Sequence, residues 1–551
     1  MTFAADADAH ASGATDLLET PDQAEGLDRN DSATGGGRTG TGTSPRRARL
    51  QGLGARVRPF LSAHWPFLII LAAGLSLRVI TMLGYRWAMW FNDAFQYVQT
   101  ALENEPHIVR PNGYVFFLQA LEPFHSFALI TTVQHLMGLG IAVMIYALLR
   151  RRLGAARWVA TLAAAPVVLD AYQIQLEHMI LSDVPFTFLM TGLVTLILWW
   201  RDITAVRGAA LGALLALTVL TRSVGMALLL VVLVYLVIRR VRWTTLAAAV
   251  VACAIPLMGY AMWFKAEHGK FGLSNSSGPF LYARVMKFAD CHKIKNLPVE
   301  EMPLCTQVPA TDRPSSQFYV WGNSSPLLRL PGDMFNNDKS AEAGRFAKRA
   351  ILAQPGDYFQ AMAYDVVRVF FWNRTVFPDK FTYELYQFRT TAAPNPDWAV
   401  PFTDAYEHGP ADTRVVEPFA GVMRFYQKWF YLRGTLLGVI LLVAAAGLIR
   451  RRDWFGRALL PLGAVAGLLV TPAASAEFDY RYVVPAIPMA CLAAALAWVP
   501  GRHRRPGVPP SPDERDGPAG GPRRPVRDRL VRVAGSRLVR PSRARRESSP
   551  S

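Results

Sequence analysis

Residues 65–84 read WPFLIILAAGLSLRVITMLG, an apolar run with one charged residue, Arg78. About 20 helical residues cross a hydrocarbon core of about 30 Å, so this run predicts a membrane span. Further runs of this kind follow, and 52% of the 551 residues are hydrophobic. The chain is therefore predicted to be an all-α integral membrane protein that crosses the bilayer many times.

Ten apolar runs can be interpreted as transmembrane helices. They are residues 65–84, 126–149, 157–174, 183–200, 207–221, 223–238, 244–264, 430–449, 457–473 and 482–499. The basic clusters beside them lie at 46–58, 150–152, 201–207, 239–242, 450–457 and in the C-terminal tail. All six fall on one side if the N-terminus is cytoplasmic, as the positive-inside rule requires. The pattern predicts a multi-pass protein of the plasma membrane.

This order divides the chain into five parts. We predict a disordered cytoplasmic tail at 1–58, a core of seven helices at 59–264 with an outer loop at 85–125, a mixed extracytoplasmic domain at 265–429, three closing helices at 430–500, and a disordered basic tail at 501–551.

The net charge of +18 raises the question of a nucleic-acid partner. Residues 501–551 hold 14 Arg against 5 Asp and Glu, so 14 minus 5, or +9, belongs to this tail. No aromatic residues interleave those arginines, as a single-strand binding surface would require. The tail is therefore interpreted as an anchor near anionic lipid headgroups, and no nucleic-acid partner is expected.

The polar residues outside the basic clusters collect on the opposite, outer face. Residues 91–121 read FNDAFQYVQTALENEPHIVRPNGYVFFLQAL, and Asp93 and Tyr97 stand one helical turn apart in this stretch. Their spacing places both on one face of a short interfacial helix. Asp93 has two interpretations: a solvated loop carboxylate, or a general base toward a hydroxyl group.

Three arginines lie where the positive-inside rule does not explain them. Arg110 begins RPNGY, a turn before the next span; Arg78 lies inside the first span; and Arg222 separates two apolar runs on the outer face. Each is interpreted either as a side chain snorkelling to the interface or as a ligand for a phosphate group.

A second acidic segment, QLEHMILSDVPFTFL, precedes the fourth predicted span and contains Glu177, His178 and Asp183. Ser182 is predicted to cap that helix, and Asp183 in the first turn complements the helix dipole, which is a structural reason for its presence. A divalent metal on Asp93, Glu177, His178 or His107 is an alternative role, but the spacings match no metal motif. No metal site is therefore assigned.

Two cysteines, Cys291 and Cys305, lie in the predicted extracytoplasmic domain. They are too far apart for a CxxC metal or redox motif, and an oxidising compartment would favour a disulfide between them.

With these residues assembled, the chain resembles the GT-C superfamily of polytopic glycosyltransferases, which includes protein O-mannosyltransferases and aminoarabinose transferases. Five segments carry the resemblance in order along residues 60–500: FNDAFQYVQTAL, RPNGY, LSDVPFTFL, TRSVGMALL and DYRYVVPAIPMACLAAALAW. Two positions depart from the family pattern: Asn92-Asp93 stands where many relatives have Asp-Glu, and Asn112 replaces a second proline.

The resemblance implies that a sugar is transferred from a polyprenyl phosphate to an extracytoplasmic acceptor hydroxyl on a glycan, lipid or protein, with inversion. It implies Asp93 and Asp183 as catalytic residues. It further implies substrate binding by a set of polar side chains, namely Tyr97, Arg110, Glu177, Arg222, Arg481, Tyr482 and Arg78. Two other classes stay open: a secondary transporter or lipid flippase, whose sites usually lie near the midplane between repeated halves, and a non-catalytic envelope scaffold.

Overall fold

The computed structural model describes residues 45–499, with side chains from residue 58 onward. Residues 1–44 and 500–551, which hold most of the two predicted tails, lie outside the described residues. The first helix begins at Pro45, inside the stretch predicted as a disordered N-terminal tail. The chain divides into two units, Met1–Trp65 and Pro66–Ser551, and the site described below belongs to the second.

Helices make up most of the described chain. The first half holds α1 (Pro45–Gly84), α2 (Asn92–Glu103), α3 (Gly113–Leu121), α4 (Phe127–Ala147), α5 (Arg157–Leu169), α6 (Ala171–Glu177), α7 (Asp183–Trp199), α8 (Ala205–Thr221), α9 (Gly225–Ile238) and α10 (Trp243–His268). The second half holds α11 (Ser277–Val285), α12 (Phe318–Trp321), α13 (Asn337–Ala353), α14 (Pro355–Arg368), α15 (Lys380–Leu385), α16 (Val400–Glu407), α17 (Phe419–Trp429), α18 (Gly434–Arg451), α19 (Leu459–Ser475), α20 (Tyr480–Val483) and α21 (Ala486–Trp498).

Every predicted span is helical, but the helices differ in length. Five are long and apolar enough to cross a membrane: Arg58–Gly84, Phe127–Arg152, Trp243–His268, Gly434–Arg451 and Tyr480–Trp498. A sixth candidate is α5 with α6, which are bent by 56° at a short break. Four shorter apolar helices, α7, α8, α9 and α19, stand at the remaining predicted positions. A multi-pass helical fold is confirmed, and the count of ten spans stays a prediction.

The central segment, residues 265–429, is helical rather than mixed as predicted. Among its described residues the one strand is β2 (Arg414–Val415), which pairs antiparallel with β1 (Tyr85–Arg86) directly after α1. Its helices bury their own apolar cluster around Tyr282, Tyr319 and Phe346. The proposed location of this segment outside the membrane stays a prediction.

Helix α8, which ends directly before Arg222, packs closely against α10 in its first half. Gly208 and Gly212 face α10, where an added Cβ would lie 2.5 Å from the carbonyl oxygen of Thr245 and 2.1 Å from that of Ala249. Glycines four residues apart allow two helix backbones to approach this closely in a membrane protein. The first half of α8 is therefore held closely against α10, and Arg222 follows the opposite end of α8.

The predicted disulfide is confirmed. Cys291 and Cys305 are bonded, with their Cα atoms 6.2 Å apart. The bridge lies within the central segment and ties together two short stretches that have little regular structure.

Candidate active site

The site is built around the carboxylate of Asp93, in the first turn of α2. Its Oδ1 lies 3.0 Å from Nη2 of Arg110, and its Oδ2 lies 2.7 Å from Nη1 of Arg481. All three side chains are partly buried. Burial acts to raise the pKa of Asp93, but the guanidinium groups of Arg110 and Arg481 outweigh it and hold the pKa well below its usual range. Asp93 is therefore a charged carboxylate held between two cations.

A second ion pair stands beside the first. Arg222 extends from the end of α8 and pairs with Asp183, which begins α7. The Asp183 side chain is 1% exposed, whereas Arg222 is 10% exposed and also lies over the ring of Tyr482 at 5.0 Å. Asp183 thus lies behind Arg222 and orients it, which is a different position from the catalytic one that the resemblance implies.

Tyr97 joins the two acidic segments. It lies one turn after Asp93 in α2, as predicted, and its hydroxyl is 3.0 Å from Oγ of Ser182. The guanidinium of Arg110 lies 5.2 Å from the centre of its ring. Ser182 occupies the N-cap position of α7, but its side chain makes no capping hydrogen bond. The predicted capping role is therefore wrong, because the hydroxyl meets Tyr97 instead.

The turn RPNGY positions Arg110 through two residues that follow it, the polar Asn112 and the small Gly113. The Asn112 side chain accepts from the backbone N–H of His107 at 2.9 Å and donates to the carbonyl of Glu105 at 2.7 Å. At Gly113, an added Cβ would lie 2.5 Å from backbone atoms of α8, directly before Arg222. Glycine at this position allows α3 to approach the end of α8, which brings Arg110 and Arg222 to one site.

Arg481 is positioned by the segment EFDYRY. Asp479 caps α20 by accepting from the backbone N–H of Arg481 at 3.1 Å, and it accepts from the Tyr386 hydroxyl at 2.6 Å. Glu477 accepts from the backbone N–H groups of Ser316 and Gln317 at 2.8 and 3.2 Å. Burial raises the pKa of Glu477 to about 7. The segment is thus fixed to the central segment on one side and to Asp93 on the other.

Two cavities meet at this group of charges. The smaller has a volume of about 410 Å³ and the larger about 830 Å³. The residues that line both include Asp93, Arg110, Arg481 and Tyr482. The carboxylate of Asp93 can therefore face a ligand in either cavity.

The lining of the two cavities differs in charge. The smaller cavity has three guanidinium groups, Arg110, Arg222 and Arg481, against the one carboxylate of Asp93, and Ser and Thr hydroxyls line much of the rest. The larger cavity has four carboxyl groups against two guanidinium groups; the carboxyl groups are Asp93, Asp379, Glu477 and Asp479. The smaller cavity suits an anion and the larger one does not.

Two residues predicted for the site lie elsewhere. Arg78 and Glu177 form an ion pair, with Nε 2.7 Å from Oε2, and both side chains are at most 1% exposed. The same carboxylate is 2.9 Å from Nδ1 of His135, whose Nε2 is 3.1 Å from Nδ1 of His178. This closed network joins α1, α4 and α6. The network pairs the positive charge of Arg78, which lies inside the first predicted span. That charge is therefore stabilised without contact to a lipid phosphate.

The structure brings to the site several residues to which the sequence alone assigned no role. Glu477 and Asp479 precede Arg481 in the chain, and Phe381 and Trp398 come from the central segment. Nothing in their local sequence distinguishes them, because they reach Asp93 only through the packing of the central segment.

Among residues 58–499, no group of three or more His, Cys, Asp and Glu side chains could hold a metal ion. The four residues weighed for a metal do not come together. Glu177 and His178 belong to the buried network, and His107 accepts from the backbone N–H of Val109 through its Nδ1 at 3.0 Å.

No family model and no curated protein matches the chain. Solved structures do match it. ArnT from Cupriavidus metallidurans, bound to undecaprenyl phosphate, is 14% identical with a TM-score of 0.31, and the match covers 78% of this chain and 77% of ArnT. The archaeal oligosaccharyltransferase AglB from Archaeoglobus fulgidus, with an inhibitory peptide and a dolichol-phosphate, is 12% identical with a TM-score of 0.32.

The match to AglB covers 79% of this chain and 50% of that one, so the chain spans about half of that protein. A further structure of the Archaeoglobus fulgidus oligosaccharyltransferase holds Zn and sulfate; it is 11% identical, with a TM-score of 0.33, over 78% of this chain and 48% of that one. ArnT and AglB both belong to the GT-C superfamily, which the sequence resembles.

Proposed function

We propose that the chain is a GT-C type membrane glycosyltransferase that transfers a sugar from a polyprenyl phosphate to an acceptor hydroxyl outside the cytoplasm. The observation that carries the proposal is the convergence of Asp93 with Arg110, Arg222 and Arg481 where two cavities meet. One anionic ligand and one hydroxyl ligand can then flank a single carboxylate.

The donor phosphate belongs in the smaller cavity under this proposal. Three guanidinium groups provide directed hydrogen bonds to phosphate oxygens, and they stabilise the negative charge that the leaving phosphate gains. Hydroxyl groups of Ser182, Ser223 and Ser276 line the same space. Asp183 acts through Arg222, as a positioning residue.

The reaction is a single displacement. The acceptor oxygen forms a bond to the anomeric carbon, the bond from that carbon to the phosphate oxygen breaks, and the polyprenyl phosphate leaves with the electron pair. Asp93 takes the acceptor proton as general base. Attack opposite to the leaving phosphate inverts the anomeric configuration.

The ion pairs of Asp93 suggest how the donor activates the base. With Arg110 and Arg481 on the carboxylate, the pKa of Asp93 is low and the group is a weak base. A bound phosphate competes for the same two guanidinium groups. Their movement toward the phosphate raises the pKa of Asp93, so the base gains strength when the donor is present.

The test is to incubate membranes that contain the chain with radiolabelled polyprenyl-phosphate sugars and to follow the label. Transfer of label from the lipid to a product, with one anomeric configuration opposite to that of the donor, is the expected result. A lipid that crosses the membrane with its sugar still attached would instead establish a flippase. Membranes without the chain and membranes with Asp93→Asn are the negative controls, and membranes with Asp357→Asn are the matched positive control.

A further inference from the structure

The larger cavity differs from the smaller one in a second respect besides charge. Aromatic side chains surround it, and three of them present large exposed faces: Trp321 is 46% exposed, Trp398 is 54% exposed and Phe381 is 59% exposed. Trp398 also meets the edge of Phe95 in α2 at 5.9 Å, which ties it to the helix that carries Asp93. The rings therefore line the same cavity as the Asp93 carboxylate and present exposed faces to a ligand in it.

We infer that this cavity binds the acceptor and that the acceptor is a neutral saccharide. The inference rests on the proposed function, because Asp93 is the base only if transfer occurs. The C–H faces of a sugar ring carry slight positive charge and pack against the negative face of an aromatic ring. The exposed faces of Trp321, Trp398 and Phe381 can provide that contact, and polar side chains of the same cavity can hydrogen-bond the hydroxyl groups.

The charges that line the larger cavity disfavour acceptors that carry negative charge. The carboxylates of Asp93, Asp379 and Asp479 stand against two guanidinium groups, and Glu477, with a pKa of about 7, adds a partial negative charge at neutral pH. An acidic headgroup or a phosphorylated glycan would therefore be repelled. A neutral polyol instead donates its hydroxyl protons to these carboxylates. The proton that Asp93 removes comes from one such hydroxyl group.

The size of the cavity sets the length of acceptor that it holds. A volume of about 830 Å³ lies within the range of about 300–1,000 Å³ that is typical of small-molecule sites. The end of a saccharide chain fits this space, while the remainder of the chain would extend beyond it.

Saturation-transfer NMR on the full-length chain in detergent tests the inference. The probes are methyl glycosides and disaccharides of mannose, galactose, glucose and arabinose, together with a short Ser/Thr-rich peptide. Saturation of the ring C–H protons of a saccharide is expected. Trp398→Ala and Trp321→Ala should each weaken its binding by about threefold to tenfold, the range expected for loss of one aromatic contact.

Trp454→Ala is the matched control, since Trp454 is 53% exposed in the loop between α18 and α19, outside both cavities. Thermal unfolding of each variant establishes that it folds. Binding of the peptide but of no saccharide would overturn the inference. It would also be overturned if Trp454→Ala weakened saccharide binding as much as Trp398→Ala and Trp321→Ala do.

A separate measurement distinguishes this outcome from failure of the proposed function. The wild-type chain is incubated with a labelled polyprenyl-phosphate sugar without acceptor, and slow release of the sugar to water is followed. Saccharide binding without such release, or without transfer from any donor, would refute the proposed function and leave the cavity as a saccharide-binding site. Release with transfer only to peptide would refute the saccharide acceptor alone.

Discussion

Replacing Arg222 by Ala distinguishes a phosphate ligand from a residue that only stabilises the end of α8. The change leaves the carboxylate of Asp183, which is 1% exposed, without its cation. A buried charge that loses its partner costs about 3–5 kcal/mol, so Arg222→Ala should unfold at a clearly lower temperature than the wild type. Arg222→Ala combined with Asp183→Asn removes the unpaired charge as well, and most of that stability should return.

The double variant should regain stability, but it should not regain the ability to use the donor. A hydrogen bond to a charged group contributes about 1.5–3 kcal/mol, so loss of the Arg222 guanidinium should raise the donor KM about tenfold to a hundredfold. The double variant should therefore be stable and still defective. Arg222→Lys keeps a positive charge but not the planar pair of N–H donors, and an intermediate defect is expected.

The assay pairs the midpoint of thermal unfolding in detergent with the transfer rate against donor concentration, at matched protein levels. If the double variant regains wild-type transfer together with its stability, Arg222 acts only through folding. If Lys and Ala both behave like the wild type, the residue is an interfacial anchor, and the phosphate ligands are to be sought in Arg110 and Arg481.

Three further results are expected. Reduction of the Cys291–Cys305 bridge should destabilise the central segment by about 3 kcal/mol, measured as a lower unfolding midpoint, whereas two free thiols in the purified protein would contradict the bridge. Burial raises the pKa of Glu477 from its usual value of 4.5 to about 7. Its contribution to stability is therefore fully present below about pH 4.5 and is lost as the pH rises from there through about 7. The unfolding midpoint of the wild type should therefore fall across that range, and the fall should be smaller in Glu477→Gln. Cysteine labelling should place residues 265–428 outside and residues 239–242 inside, and a cytoplasmic central segment would contradict the proposed topology.

The helical fold could be predicted because membrane spans leave a strong local signal. A run such as 65–84 is long and apolar, and each of the ten predicted runs is helical in the structure. The strand pair of Tyr85–Arg86 with Arg414–Val415 left no such signal. Two-residue strands lack a readable alternation of polar and apolar positions, and their partners are distant in the chain.

The grouping of residues at the candidate site could be predicted where chain position and charge agree. Asp93 and Tyr97 share one face of α2, and Arg110, Arg222 and Arg481 stand at the ends of apolar runs on one predicted face. These cues need no knowledge of which residues pair.

The sequence could not predict which charged residues form ion pairs with one another. Arg78 and Glu177 satisfy each other inside the bundle, although both were predicted to bind substrate. Asp183 is buried and forms an ion pair with Arg222. Both outcomes depend on how helices pack against one another, and helix packing is set by contacts between residues far apart in the sequence.

The most direct test of the central claim is the transfer rate of Asp93→Asn with a labelled polyprenyl-phosphate sugar. The amide keeps the size of the side chain and cannot accept the acceptor proton, so the rate should fall about a hundredfold to ten-thousandfold. Binding of the donor should persist, because Arg110, Arg222 and Arg481 remain in place. Asp357→Asn, at an exposed position of α14, is the control and should transfer normally. Transfer by Asp93→Asn within a few-fold of the wild-type rate would contradict Asp93 as the base.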